Sequence, residues 1–445
     1  MKKVLSFVVV IALVALAGAG VLLPSSIDAQ AAPIELRLYN WGDYMDLSIL
    51  DEFVEEYEDA TGQQITIIPT TFETNEEMIT TVVRGGAAVD LICPSEYAIE
   101  LLIRNNKLEK LDYSKIPNRA NVDQVIYDKV DEVFSDVKVN GETIVMSDYF
   151  VPYMWGTLGV LYNTKYVSDE DAAAAGYGLL WNKLDDPVLN GKIYLKDSIR
   201  DTYAAAVLYL KEEGKLPEGY ENKTISELIN TVDAVLLDAA EKVLKEQKSV
   251  LHSYEVDFGK GEMIDEKGYV GLAWSGDALW AMEENEHLNY FVPEVGGNVW
   301  FDGFVVPQNA PNKNAALAFI NFLCRPDISI RNSIEIGYTS AIDKDILAAN
   351  DEVLQILEDN EYDPEEFFSD EIRYPNIDNE GYGVMKDFGD KNTDIVAMWE
   401  RVKAHGSKTW ILIVVIVGVL VLGGGVAAFF IIKNKKGTRR RVKKA

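Results

Sequence analysis

Along residues 33–405 the apolar positions follow two periods. Short alternating or continuous apolar runs read as strands, and i, i+3, i+4 spacing reads as helices. Ile34–Tyr39 reads as a strand followed by a turn at Asn40–Tyr44. Asp46 to Tyr57 puts Leu47, Leu50, Phe53, Val54 and Tyr57 on one helical face, with Gly62 just past the end. Gln64–Ile68 and Asp90–Cys93 read as strands, with a helix at Glu76–Arg84 between them and another at Ala98–Arg104 after them. That order is the first half of an open parallel α/β sheet. Tyr149–Trp155, aromatic-rich and containing Pro152, suits a crossing between lobes. Strands follow at Leu158–Asn163, Lys192–Leu195, Tyr269–Trp274 and Phe304–Val306, and helices at Asp201–Leu210, Ala315–Leu323 and 391–404. The stretch 213–265 is charged and mostly helical, and 345–390 is acidic and irregular. The expected class is α/β.

The two ends break this pattern. Lys2-Lys3, the apolar run Val4–Leu23 and the small residues around Ala29-Gln30-Ala31 make an export signal over 1–31, either cut after Ala31 or kept as an anchor. Trp410–Ile432 carries no charge, long enough at about 1.5 Å per residue to cross a hydrocarbon core of roughly 30 Å. The basic tail 433–445 follows, so the positive-inside rule puts that tail in the cytoplasm and the body outside.

Charge sharpens the picture. The 445 residues hold 72 acidic and 42 basic side chains. Ten of the basic ones lie in the two ends, which leaves the middle near −40. A surface of that sign argues against nucleic acid as a partner and concentrates cations. Two distant cysteines, Cys93 and Cys324, read as buried free thiols, and three scattered histidines give no zinc spacing.

Candidate chemistry sits where the expected strands end, the place at which open α/β sheets bind ligands. Trp41, Asp43 and Tyr44 follow the first strand, and Ser95 and Tyr97 the third. Ser198 and Asp201 follow Lys192–Leu195. Gly271–Trp274 is followed by a tight turn with Asp277, then a helix from Ala278, and Val299-Trp300-Phe301 ends in Asp302. Any single pair reads equally as a core aromatic beside a turn or cap residue. Together they make slots in which carboxylates hold ammonium groups and ring faces line the methylenes between. No nucleophile elbow, metalloprotease motif, phosphate loop or dinucleotide fingerprint is present. Paired carboxylates with aromatic platforms leave a glycoside hydrolase open, and an extracellular calcium site lacks the Asp spacing it needs.

Tyr39-Asn40-Trp41-Gly42-Asp43-Tyr44, Glu73-Thr74-Asn75-Glu76, Pro94-Ser95-Glu96-Tyr97, Val151–Gly156, Trp300-Phe301-Asp302, Ala318–Asp327 and Ile336-Gly337-Tyr338 resemble the bacterial spermidine/putrescine-binding proteins, the receptors of polyamine ABC importers. The resemblance implies a two-lobed periplasmic-binding-protein fold closing about a hinge, with 33–148 and 300–345 in one lobe and 149–299 and 346–405 in the other. It implies a polyamine ligand, an ABC permease and its ATPase as partners, no cofactor or metal, and no catalysis. A polyamine sensor without transport shares every binding residue. By position, Trp41, Ser95, Tyr97, Trp274, Trp300, Asp302 and Tyr338 line the site, and Asp201 stands where the spermidine receptors place a Glu. Ser198 replaces an Asp, Gly42 a hydroxyl residue, and Asp277 a small polar residue that is Asp in putrescine receptors. These departures leave putrescine as open as spermidine and point to Asp277 for selectivity. The membrane helix departs from most members and implies a receptor tethered beside its permease.

Overall fold

The computed structural model describes residues 32–84, 88–377 and 381–406. The expected export segment, the membrane helix 410–432 and the tail 433–445 lie outside them. Among the described residues no helix is long and apolar enough to cross a membrane.

Eleven strands of the described chain form one mixed sheet. Its first half is parallel: Ile34–Trp41 lies between Ile65–Phe72 and Leu91–Ile92. Its second half, Val270–Trp274, Ile193–Lys196 and Leu251–Glu255, is also parallel within itself. Two long antiparallel strands, Phe150–Asn163 and Gly297–Val305, run through both halves and join them. The pairing makes the halves run in opposite senses, so the carboxyl ends of both point into the space between them. Two lobes and a cleft follow from this register.

Phe150–Asn163 is buried at every position, which is why its sequence is a continuous apolar run rather than an alternation. The segments read from sequence as a crossing and a separate strand are one strand. Pro152 is accommodated because the ladder with Gly297–Val305 slips between Asp302 and Gly303, and a bulge removes the need for a donor there. Val299–Phe301 and Phe304–Val306 likewise merge into one strand, with Asp302 inside it at the slip.

The stretch 213–265 holds the strand Leu251–Glu255 besides its helices. The acidic 345–390 region is more ordered than its composition implies: Lys344–Ala348, Asp351–Asp359 and Pro364–Ser369 are helices. Val353 and Leu357, four apart, are buried on one face of Asp351–Asp359, which packs on Pro326–Ile336. Both cysteines are buried and free.

Candidate functional site

The cleft between the halves encloses about 330 Å³. Eleven acidic side chains and four basic ones line it, an imbalance that favours a cationic occupant.

Asp302 is one of its buried walls. The ladder slips beside it, between Asp302 and Gly303, and an isolated bridge ties it to Ser95. Asp302 is 6 % exposed and its Oδ1 has no hydrogen-bond partner. Burial pushes its carboxyl up to about 7, with Ser95 and Tyr44 pulling the other way. Around it the Tyr338 ring meets Tyr44 at 5.2 Å and Trp300 at 5.4 Å, both edge-on. Close backbone contact makes this frame possible: a Cβ on Gly276 would strike the Tyr338 ring, and one on Gly156 would strike Trp300. The buried indole N–H groups of Trp300 and Trp41 have no acceptor. An organic ammonium supplies what this pocket lacks, a cation for the carboxylate and for the ring faces.

The other candidates differ in what they touch. Asp43 is exposed, at φ 46°, and stands on the rim. Ser95 and Tyr97 each accept a 3.0 Å bond from Asn75 Nδ2. The Ser198 hydroxyl caps helix Ile199–Glu212 through Asp201 N–H. Asp201 is buried, with its carboxyl pushed up by burial and drawn down by Ser198, Lys196 and Trp274.

Trp274 and Asp277 hold a surprise. The helix starts at Ser275 directly after the strand, not after a tight turn. Ser275 Oγ accepts from Thr157 N–H and fixes the junction to the central strand. Asp277 therefore sits in the first helical turn, where a carboxylate complements the helix dipole. It lines the cleft but faces two lysines: Lys196 Nζ at 3.4 Å and Lys260 Nζ at 3.4 Å. Lys196 Nζ also lies 2.8 Å from Glu255 and 3.9 Å from the Trp274 ring centroid.

All twelve residues singled out above line this one cleft. Sequence reasoning missed Lys196, Arg200, Glu255 and Lys260. The signal for Lys196 was a lone lysine closing an apolar strand, just before Asp197-Ser198. Glu255 lay on the strand that the charged 213–265 stretch concealed. Arg200 stacks its guanidinium on Tyr97 at 4.0 Å, across the cleft from its own helix, and on Phe388 at 4.1 Å.

The model of bacterial extracellular solute-binding proteins matches residues 52–353, and the chain belongs to that family. It is 28% identical over 304 residues to the spermidine/putrescine-binding periplasmic protein of Escherichia coli, covering 68% of this chain and 76% of that one. Against the putrescine-binding periplasmic protein of the same organism it is 27% identical over 333 residues, covering 73% and 82%. A putative spermidine/putrescine ABC transporter structure from Listeria monocytogenes superposes with a TM-score of 0.65 at 29% identity, over 83% of this chain and 99% of that one. The spermidine/putrescine ABC transporter substrate-binding protein of Streptococcus pneumoniae gives 0.61 at 28%, over 84% and 99%. These matches establish the two-lobed periplasmic-binding-protein fold.

Proposed function

We propose that this protein is an extracellular polyamine receptor that captures putrescine or spermidine and delivers it to an ABC permease with its ATPase, and that it binds without catalysing. The observation that carries this reading is Asp302: a buried carboxylate with an unpartnered oxygen, framed by Tyr44, Trp300 and Tyr338. Trp41, Ser95, Tyr97 and Asp201 complete the ligand surface, and the relatives' names agree in ligand class. The lobes divide as 33–148 with 300–345 and 149–299 with 346–405, except that the packing of Asp351–Asp359 on Pro326–Ile336 favours placing that helix with the first. The uncharged run 410–432 and the basic run 433–445 favour a tether to the membrane with the tail in the cytoplasm, after export directed by 1–31. Protease applied to intact cells is expected to remove the body and leave a small membrane-bound fragment.

Titration of the purified body with putrescine and with spermidine, followed by Trp fluorescence and heat, tests the receptor. Binding tighter than about millimolar for at least one is expected. Failure of both to bind at that level overturns the reading.

A further inference from the structure

Two Trp–carboxylate slots open on the cleft, and the chain has already filled one. Lys196 closes the strand Ile193–Lys196, and its side chain is 2 % exposed. Its ammonium rests over the Trp274 face at 3.9 Å, pairs with Glu255 at 2.8 Å and Asp277 at 3.4 Å, and donates to the Val256 carbonyl at 2.9 Å. A ring face, two carboxylates and a carbonyl are the set that recognises a primary ammonium on a ligand. Burial pulls this lysine toward neutrality, but Glu255 and Asp277 outweigh it, so it stays charged. Lys260 covers the other oxygen of Asp277.

Two other buried carboxylates of the cleft, Asp302 and Asp201, are in a different state. Asp302 keeps Oδ1 free. Asp201 is buried on the cleft wall, its backbone N–H donating to Ser198 Oγ, while the ion pairs of Lys196 go to Glu255 and Asp277. Asp201 and Asp302 feel each other's charge, a repulsion that two ammonium groups on one short chain relieve.

We infer that Lys196 is a specificity-determining residue: its resident ammonium occupies the Trp274–Asp277–Glu255 slot, and the cleft selects a diamine, held at Asp302 and Asp201, over a triamine. The inference rests on the polyamine reading and narrows it. Asp277 then acts as counter-ion to two lysines and does not grip the ligand.

The experiment compares putrescine and spermidine on the wild-type body, on Lys196→Met and on Asp277→Asn. Wild type is expected to bind putrescine at least tenfold tighter. Lys196→Met opens a slot with two carboxylates and is expected to raise spermidine affinity relative to putrescine tenfold or more. Asp277→Asn, which keeps Lys196, is expected to hold putrescine affinity within threefold, and it decides the matter if Lys196→Met does not fold. Wild type preferring spermidine, an unchanged ratio in Lys196→Met, or a tenfold loss of putrescine in Asp277→Asn each overturns the inference while the polyamine reading stands. Wild type binding neither amine overturns both.

Discussion

Trp300–Asp302 and Trp274–Asp277 are near twins in sequence and opposites in the folded chain. Each is an indole at an apolar strand followed within three residues by a carboxylate, and both line one cleft. Asp302 lies inside a strand at a bulge with a free oxygen. Asp277 lies in a helical turn with a lysine on each oxygen. The difference comes from strands far away in sequence: Ile193–Lys196 and Leu251–Glu255 bring Lys196 and Glu255 beneath Trp274, and among the described residues no cation lies over Trp300. A local motif therefore reports that a carboxylate and a ring are together, and the third element decides whether a ligand is needed to satisfy them.

The comparison breaks most visibly at Lys196. Removing one partner of a buried ion pair leaves the other charge uncompensated, which costs about 3–5 kcal/mol. Lys196→Met should lower the stability of the unliganded protein by that order, read from chemical denaturation. A loss below about 1 kcal/mol, the range of exposed pairs, would mean the ammonium is not sealed between Glu255 and Asp277.

Asp302→Asn should behave the other way. Charge-assisted bonds to a buried ammonium are the strong class, so ligand affinity should fall by about 2 kcal/mol or more, near thirtyfold. The empty protein should lose little stability, because one of the two carboxylate oxygens is buried without a partner. Unchanged affinity by calorimetry would reduce Asp302 to a structural residue of its bulge.

Acid titrates the open slot through Asp302. A carboxyl whose pKa is higher folded than unfolded binds more protons in the folded state, so folding gains stability as pH falls. Burial raises Asp302 to about 7 and Glu96 to about 8, against unfolded values near 4. The empty protein should therefore become more stable between about pH 8 and 5 through these two groups, until other carboxylates titrate. Ligand binding needs Asp302 ionised, so affinity should fall on the same path, by up to about tenfold per unit below 7. Melting curves with and without putrescine at pH 8, 7 and 6 check both signs. Two curves moving together would remove Asp302 from the ligand site.

Much of this was legible in the chain, for stated reasons. Parallel strands at Ile34–Trp41 and Leu91–Ile92 follow from apolar runs set between helical periods, and such strands must end at a ligand-facing edge. That logic points to Trp41, Ser95 and Asp201, and the family resemblance adds Tyr338. Asp302 is legible in the sequence but reads as a strand terminus, because a bulge leaves no local mark beyond Pro152 on the partner strand. Glu255 is hidden because Leu251–Glu255 is a half-buried strand, with Glu255 itself its one buried position, among charged helices. The filling of the Trp274 slot could not be read at all, since it depends on which strand lies beside Val270–Trp274, a long-range pairing.

The finest test separates the two lysines that share Asp277. Lys196 is 2 % exposed and Lys260 is 25 % exposed, at equal 3.4 Å distances. Coulomb attraction alone would make them equivalent. Solvent makes them unequal, because water and salt screen an accessible pair and the side-chain entropy of holding it offsets the gain. Lys260→Ala should therefore cost under about 1 kcal/mol, some of it from the contact over the Trp280 ring at 5.3 Å. The remaining cost should shrink further as salt rises toward 1 M, where screening acts over about 3 Å. The Lys196→Met loss should hold across the same salt series. If both losses fade together, solvent reaches Lys196, its slot is open to exchange, and a ligand ammonium could displace it. If only the Lys260 loss fades, burial rather than proximity is what makes Lys196 a permanent occupant.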